Sequence, residues 1–236
     1  MDYSLTEQFE LIGKAGQKKL MQSTVALIGL GGVGSTVAQI LARSGVNLRI
    51  VDKDRTLEQD MPRQTLYVED DINKFKAKQA KRRLEEINKK IKIKTFHEEL
   101  SKENIFLLEA DIIVDTSNDL KTALLVNDFA ISKKIPLISV NYAGEKGNVF
   151  VVDRSQFKKG ACLGCIHDKL TLGELKDKGV YPPITTMLAS LAANAAIKNL
   201  LDIENVQSLL KVDVIKTEIR HSTVEKVRGC KHCKGK

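Results

Sequence analysis

The stretch VALIGLGGVGSTVAQ, residues 25–39, begins as an apolar run, passes through a glycine cluster and ends as the start of a helix. Gly29, Gly31 and Gly34 have the G-x-G-x-x-G spacing of a nucleotide-binding turn. Such glycines let the backbone approach a phosphate closely, and the N-terminus of the following helix favours negative charge. Asp52 ends the next strand, where a carboxylate accepts hydrogen bonds from ribose hydroxyls. The stretch predicts a nucleotide site without distinguishing NAD from ATP.

Strands and helices alternate outward from this turn. Apolar runs and helical periodicity predict strands at 23–30, 47–54, 90–97, 110–117, 135–144 and 147–153, and helices at 34–45, 73–94, 120–134 and 184–201. This alternation predicts a Rossmann-like, doubly wound α/β fold with a mostly parallel sheet and an antiparallel extension. We expect a single domain over residues 1–236, with an irregular excursion at 154–184.

The net charge of +8 comes largely from residues 73–94. A solvated, lysine-rich helix face is the favoured interpretation, ahead of attraction for an acidic partner or nucleotide phosphates. Nucleic-acid binding is disfavoured because the segment lacks the series of interleaved aromatic residues that would stack on bases. The N-terminus has no signal-peptide pattern, and the longest uncharged apolar stretch, 184–197, is shorter than a membrane span. We therefore expect a cytoplasmic enzyme with no membrane partner.

The four cysteines form two C-x2-C pairs. Cys162 and Cys165 lie in ACLGC, and Cys230 and Cys233 lie in GCKHC. Two such pairs place four thiolates around one Zn²⁺, and a site closed by four thiolates is structural because it leaves no position for water. Thiol–disulfide chemistry is the alternative for a single pair. Zinc is favoured, and it ties the C-terminal region to the loop around residue 162.

The segment VDKDRTLEQDMPRQTL, 51–66, separates the possible nucleotide-binding families. A glycine turn, V-D-x-D, P-R-Q-T-L, a lysine in NKFKAKQA (73–80) and two C-x2-C pairs follow one another in this order. The combination resembles the ubiquitin-activating-enzyme-like adenylyltransferases of the ThiF/MoeB/HesA group. The resemblance runs from the region of residue 7, through GQKKL (16–20), to the last cysteine, which is nearly the whole chain.

The resemblance implies a reaction of ATP with a small ubiquitin-fold carrier protein ending in Gly-Gly. The terminal carboxylate attacks the α-phosphate, which gives an acyl-adenylate and pyrophosphate in the presence of Mg²⁺. If all four cysteines hold Zn²⁺, none is free to form a thioester, so sulfur transfer or conjugation is left to another protein. The resemblance also implies a homodimer.

The resemblance further implies roles for individual residues. Asp52 holds the ribose, and Asp54 begins a crossover loop beneath the phosphates, which Gln64 supports. Arg63 and Lys76 neutralise phosphate charge in the transition state, although a plain surface charge is an alternative for Lys76. The implied nucleotide-binding set is Gly29, Gly31, Gly32, Gly34, Asp52, Asp54, Asp60, Arg63, Gln64, Lys76, Asn118 and Asp119, with Arg63, Lys76 and Asp119 as the catalytic candidates.

Three positions depart from the family pattern. Asp60 stands where the family usually has asparagine, and Glu7 ends a motif that normally carries an arginine lent to the partner subunit. In DTSND, Asn118 takes the place of the aspartate that serves Mg²⁺, and Asp119 follows it. Either Asn118 or Asp119 is then the Mg²⁺ ligand, and the departures bear on the rate rather than on the fold.

Three other functions are weighed against carrier adenylation. The basic segment favours adenylation of a different carboxylate, on a peptide or a modified tRNA base. The departures at Glu7, Asp60 and Asn118 favour a nucleotide-binding scaffold without turnover. An NAD-dependent oxidoreductase is least favoured, because no histidine that is a candidate for proton transfer sits in a strand-end motif and P-R-Q-T-L has no role there.

Overall fold

A computed structural model describes residues 1–153, 160–166, 179–203 and 209–233. Its centre is one eight-stranded sheet in the order β3-β2-β1-β4-β5-β6-β7-β8. The strands are β1 (Thr24–Ile28), β2 (Asn47–Val51), β3 (Ile93–Phe96), β4 (Ile112–Asp115), β5 (Leu137–Ala143), β6 (Lys146–Val152), β7 (Leu209–Asp213) and β8 (Glu218–Ser222). The helices are α1 (Ser4–Gln8), α2 (Gly13–Gln22), α3 (Gly32–Arg43), α4 (Lys76–Ile87), α5 (Leu120–Lys133), α6 (Leu163–Ile166) and α7 (Pro182–Leu200).

The first five strands are parallel, and β1 lies between β2 and β4. The chain order therefore reverses on either side of β1. In open α/β sheets, ligands bind at such a reversal, beyond the carboxyl ends of the strands. The glycine turn follows β1 directly, so the fold places it at this point. The predicted fold class is confirmed.

The remaining strands form the antiparallel part of the sheet. β5 pairs with β6, β6 with β7, and β7 with the edge strand β8. The antiparallel extension was predicted as far as β6, whereas β7 and β8 were not predicted. These two strands are only partly buried, so their apolar alternation is weak.

Helices cover both faces of the sheet. One apolar cluster joins α3, α4 and α7 to one face, through residues such as Leu41, Leu84 and Leu188. A second cluster joins α5 and α6 to the other face, through residues such as Val126 and Leu163. Within the described part of the chain, no helix combines the length and apolar character that a membrane crossing requires.

Most element boundaries differ from expectation by a few residues, and two predicted segments need a comment. The basic helix predicted over 73–94 is shorter and covers Lys76–Ile87, because Asn73 has a positive φ of 64° and Asn88 is extended. The irregular excursion predicted over 154–184 lies largely outside the described residues. Within that range the structure describes α6 and the start of α7.

Candidate nucleotide and metal sites

The glycine turn is shaped by close backbone contacts. Gly29 has a φ of 83°, which L side chains rarely adopt, and a Cβ there would lie 2.9 Å from the Thr116 carbonyl oxygen. At Gly34 a Cβ would collide with the Gly29 carbonyl. A Cβ on Gly32 would lie 2.9 Å from the Arg63 carbonyl oxygen, so Gly32 faces protein. Among the four glycines of the turn, only Gly31 faces open space, since the atom nearest to a Cβ built there is Arg63 Nη1 at 3.9 Å.

Asp52 is oriented by the backbone on both sides of it. Its Oδ2 accepts a 2.6 Å bond from the Leu30 N–H, and its Oδ1 accepts a 2.8 Å bond from the Asp54 N–H. Burial raises the pKa of Asp52 above its ordinary value, and these two hydrogen bonds oppose that rise. A fixed carboxylate beside the glycine turn is suited to hold ribose hydroxyls.

A cavity of about 260 Å³ opens beside the turn. Gly29, Asp52, Asp54 and Asp119 line it together with the apolar side chains of Ile28, Val51 and Leu100. This combination of an apolar wall and convergent carboxylates suits a nucleoside. The structure thus brings four of the predicted residues to one cavity.

A buried ion cluster holds the two predicted cations. Arg63 Nη2 donates to Asp60 Oδ1 at 2.6 Å, and Lys76 Nζ lies 3.1 Å from Asp60 Oδ2. Lys76 is only 6% exposed and Asp60 2% exposed, so Lys76 is not a plain surface charge. Asp60, the departure from the family asparagine, therefore bridges Arg63 and Lys76 and neutralises one of their two charges.

Gln64 is buried beside this cluster with no partner for its amide. It is 2% exposed, and neither its Nε2 nor its Oε1 makes a hydrogen bond. A buried amide without partners costs free energy unless a ligand or water satisfies it. Together with the open face of Gly31, this orphaned amide fits a bound nucleotide.

The two residues expected to compete for Mg²⁺ have different surroundings. The Asn118 Oδ1 accepts from the Tyr142 N–H at 3.0 Å, and its Nδ2 donates to the Tyr142 carbonyl at 3.3 Å. Asp119 caps α5, because its Oδ2 accepts from the backbone N–H and the hydroxyl of Thr122, each at 2.9 Å. These bonds lower the pKa of Asp119, and its carboxylate lines the cavity. Hard carboxylate oxygens suit Mg²⁺, which favours Asp119.

Two residues near the site were missed by the sequence reasoning. Burial raises the pKa of the Tyr142 phenol, and the positive charge of Arg63 opposes that rise. Asp115 ends β4, and burial raises its pKa to about 6 while bonds from Ser117 and Ser139 oppose that rise. Asp115 is the first residue of the DTSND stretch, which was the only available signal, whereas nothing in the sequence marks Tyr142.

The four cysteines converge as predicted. The Sγ distances are 3.8 Å for Cys162–Cys165, 3.8 Å for Cys162–Cys230 and 3.6 Å for Cys165–Cys233, and all four lie within 4.8 Å of one another. Four thiolates arranged tetrahedrally at about 2.3 Å from one zinc ion lie about 3.8 Å apart. The donor set and its spacing therefore fit a structural Zn²⁺ that ties α6 to the C-terminal region.

Several basic side chains of helix α4 form ion pairs within the protein. Arg82 and Arg83 bind the buried Asp71 at 2.8 and 3.1 Å, and Lys81 lies 3.8 Å from Glu85. Lys76, the first residue of α4, belongs to the Asp60 cluster. These pairs give part of the helix a structural role.

The comparisons with known proteins bear on the whole chain. The profile of the ThiF family matches residues 3–233. The chain belongs to the ThiF family. Among curated ThiF-family relatives, it is 35% identical over 223 residues to a "Sulfur carrier protein ThiS adenylyltransferase" of Bacillus subtilis, covering 92% of this chain and 66% of that protein. It is 30% identical to a "Sulfur carrier protein adenylyltransferase" of Thermus thermophilus, covering 94% and 86%.

Solved structures support the same fold for this ThiF-family chain. A crystal structure of Escherichia coli MccB with ATP superposes with a TM-score of 0.79 at 22% identity, covering 92% of this chain and 68% of that one. The same protein with succinimide gives a TM-score of 0.80 at 24% identity, covering 93% and 68%. The family match over residues 3–233 confirms the predicted family resemblance, whereas the roles of individual site residues stay predictions.

Proposed function

We propose that this ThiF-family chain is an ATP-dependent adenylyltransferase that acts on the C-terminal carboxylate of a small ubiquitin-fold carrier protein. The observation that carries the proposal is the placement of Arg63 at the open face of the glycine turn, with Lys76 bound to the same carboxylate, Asp60. A pair of cations at this position suits phosphoryl chemistry, in which positive charge stabilises the transferring phosphate. The names of the curated relatives agree with this assignment.

In the proposed reaction, an oxygen of the carrier's terminal carboxylate attacks the α-phosphorus of ATP. The bond from the α-phosphorus to the oxygen that bridges to the β-phosphate breaks, and pyrophosphate leaves with that electron pair. The carrier becomes an acyl-adenylate, and no proton transfer is needed. The protein therefore contributes positioning and charge neutralisation rather than a general base.

Each part of the site has a task in this step. Asp52 holds the ribose, the Gly31 face admits the phosphates, and the Gln64 amide supplies hydrogen bonds to the bound nucleotide. Arg63 and Lys76 stabilise the charge that develops on the phosphate oxygens. Asp119 is the residue that would hold Mg²⁺, which when bound neutralises phosphate charge.

The zinc site has a separate, structural task in the proposal. With all four cysteines around one Zn²⁺, the chain has no cysteine left to form a thioester. We therefore assign it the adenylation step alone, with the subsequent sulfur transfer or conjugation performed by another protein.

A homodimer is part of the proposal. Leu5, Phe9 and Leu11 are 80%, 57% and 61% exposed and lie close together in the sequence near the N-terminus. Such an exposed apolar group favours a protein contact. A second copy of the chain is the partner that the family resemblance implies.

The proposal is tested by ATP–pyrophosphate exchange with each ubiquitin-fold protein ending in Gly-Gly that the same genome encodes. Exchange is expected with one such carrier and is expected to disappear when its terminal glycine is removed. Lys76→Ala should abolish the exchange, because it removes a buried cation. Lys78→Ala is the matched control, since Lys78 lies on the same helix but is exposed. Equal activity of the two variants would contradict the role given to Lys76.

A further inference from the structure

The two cysteine pairs come from distant parts of the chain, since 68 residues separate Cys162 from Cys230. Bringing the ends of such a long segment together costs chain entropy. The bonds between the metal and the sulfur atoms must supply the whole of this cost unless other contacts also hold the two pairs together. Helix α5 provides contacts of this kind through two consecutive residues, Asn127 and Asp128.

Asn127 holds the first cysteine pair. Its side chain is fully buried, and its Oδ1 accepts a 2.9 Å hydrogen bond from the N–H of Leu163, the residue that follows Cys162. The N–H of Cys165 in turn donates to the Cys162 carbonyl at 2.9 Å. The Asn127 amide therefore fixes the first turn of α6, which carries this pair.

Asp128 holds the second cysteine pair. Its Oδ1 accepts a 2.6 Å hydrogen bond from Nδ1 of His232, which lies between Cys230 and Cys233 in the sequence. The His232 ring also packs closely on Gly164 of the first pair, where a Cβ would collide with the ring. His232 thus links the second pair both to α5 and to the first pair.

The two contacts on α5 are joined into one hydrogen-bonded path. The Nδ2 of Asn127 donates to Oδ1 of Asp128 at 3.1 Å, and this oxygen is also the acceptor for His232. The path runs from the backbone of the first pair, through the Asn127 amide and the Asp128 carboxylate, to the second pair. It connects the two pairs without passing through any thiol.

We propose that Asn127 and Asp128 are positioning residues that hold both cysteine pairs in the arrangement that binds Zn²⁺ and thereby set the zinc affinity of the chain. Residues that orient metal ligands through hydrogen bonds change metal affinity by about 10- to 100-fold in other sites. Groups that are held in place in advance lose less freedom when they bind. The inference concerns zinc affinity and does not depend on the adenylation reaction.

The experiment measures the Kd for Zn²⁺ of the full chain by competition with a chromophoric chelator, without ATP or carrier. Asp128→Ala should raise this Kd about tenfold, and His232→Ala should have a similar effect. The double variant should bind Zn²⁺ about as well as either single variant, because both changes remove the same hydrogen bond. Asp128→Asn keeps an oxygen acceptor for His232 and should recover most of the affinity.

Two variants serve as matched controls. Glu109→Ala removes a carboxylate that is 56% exposed and binds Lys133 at the end of α5, at 3.1 Å. Lys231→Ala changes the other residue that lies between Cys230 and Cys233. Both controls should bind Zn²⁺ as the wild-type chain does. With Co²⁺ as a spectroscopic probe, every variant should keep the absorption of a four-thiolate site, because no ligand has been removed.

The cycle separates support for the inference from its failure. A loss of affinity in Asp128→Ala that disappears in the His232→Ala background supports it. Wild-type affinity of Asp128→Ala, or a loss that adds in full to that of His232→Ala, would overturn it. A wild-type chain that binds no Zn²⁺ would overturn both this inference and the metal assignment. A lack of adenylation with every carrier would count against the proposed function alone.

Discussion

Asp60→Asn restores the residue that the family usually carries. The structure predicts that this variant is less stable than the wild type but binds ATP more tightly. The wild-type carboxylate is buried and bridges Arg63 and Lys76, with a further bond from the Leu57 N–H. Replacing it by an amide leaves the buried Lys76 and the partly exposed Arg63 with one partner that carries no charge. Breaking a buried ion pair on one side costs several kcal/mol, and the retained amide oxygen reduces this to about 2 kcal/mol.

The variant is expected to gain affinity for ATP. At an effective dielectric constant of about 20, two unit charges about 6 Å apart interact by about 3 kcal/mol, so loss of the Asp60 charge removes a repulsion of this order for phosphates bound at that distance. Partial exposure of Arg63 screens this, so we expect ATP to bind about ten- to thirtyfold more tightly. The Kd is measured by calorimetry, and unfolding is followed in urea with and without saturating ATP. The stability deficit of the variant should shrink with ATP, because ligand binding adds to the free energy of unfolding.

Asp70→Asn is the matched control for net charge, since Asp70 is an exposed acid in a similar single turn. It should leave both the ATP affinity and the free energy of unfolding close to wild type. Equal or weaker ATP binding by Asp60→Asn would refute the reasoning, since it would mean that Asp60 does not offset the cations that face the phosphates.

Three further predictions concern the turn, the zinc site and pH. Gly31→Ala should fold normally yet lose ATP binding in calorimetry, whereas Gly34→Ala should lower the yield of folded protein because its Cβ meets the Gly29 carbonyl. Elemental analysis should find one zinc per chain, and Cys162→Ser should lose it and lower the melting temperature by roughly 5–10 °C. The pKa of Asp115 in the folded state is about 6, above the ordinary 3.8. Because the folded state binds this proton more tightly than the unfolded state does, the contribution of Asp115 to the free energy of unfolding rises as the pH falls through 6. Asp115→Asn should therefore raise the free energy of unfolding at pH 7 by about 1–3 kcal/mol and change it little at pH 4, as measured by urea unfolding. An equal gain at both pH values would contradict the raised pKa of Asp115.

Local patterns made the parallel half of the fold and both ligand sites predictable. The glycine turn, Asp52 and the paired cysteines lie in short segments whose spacing reflects backbone geometry or metal coordination. The parallel strands are buried on both faces, so they appear as continuous apolar runs. The edge pair β7 and β8 lacks such a run and was missed.

The connections between distant segments were not predictable. Asp60 and Lys76 are separated in sequence by a loop, and only folding shows that one carboxylate bridges Lys76 and Arg63. The Asn118 substitution was interpreted as a change at the Mg²⁺ site, whereas the structure shows its amide bound to the backbone of Tyr142. A single sequence does not reveal such long-range hydrogen bonds, because each residue type is common in surface loops.

The most direct test of the central claim is the intact mass of the carrier protein after incubation with the chain, ATP and Mg²⁺. The account predicts that a ubiquitin-fold protein ending in Gly-Gly gains one AMP at its terminal carboxylate, with release of pyrophosphate. It also predicts no gain when the terminal glycine is absent or when Lys76→Ala replaces the wild-type chain. ATP binding with no adenylate on any such carrier encoded in the same genome would contradict the account and would indicate a nucleotide-binding scaffold.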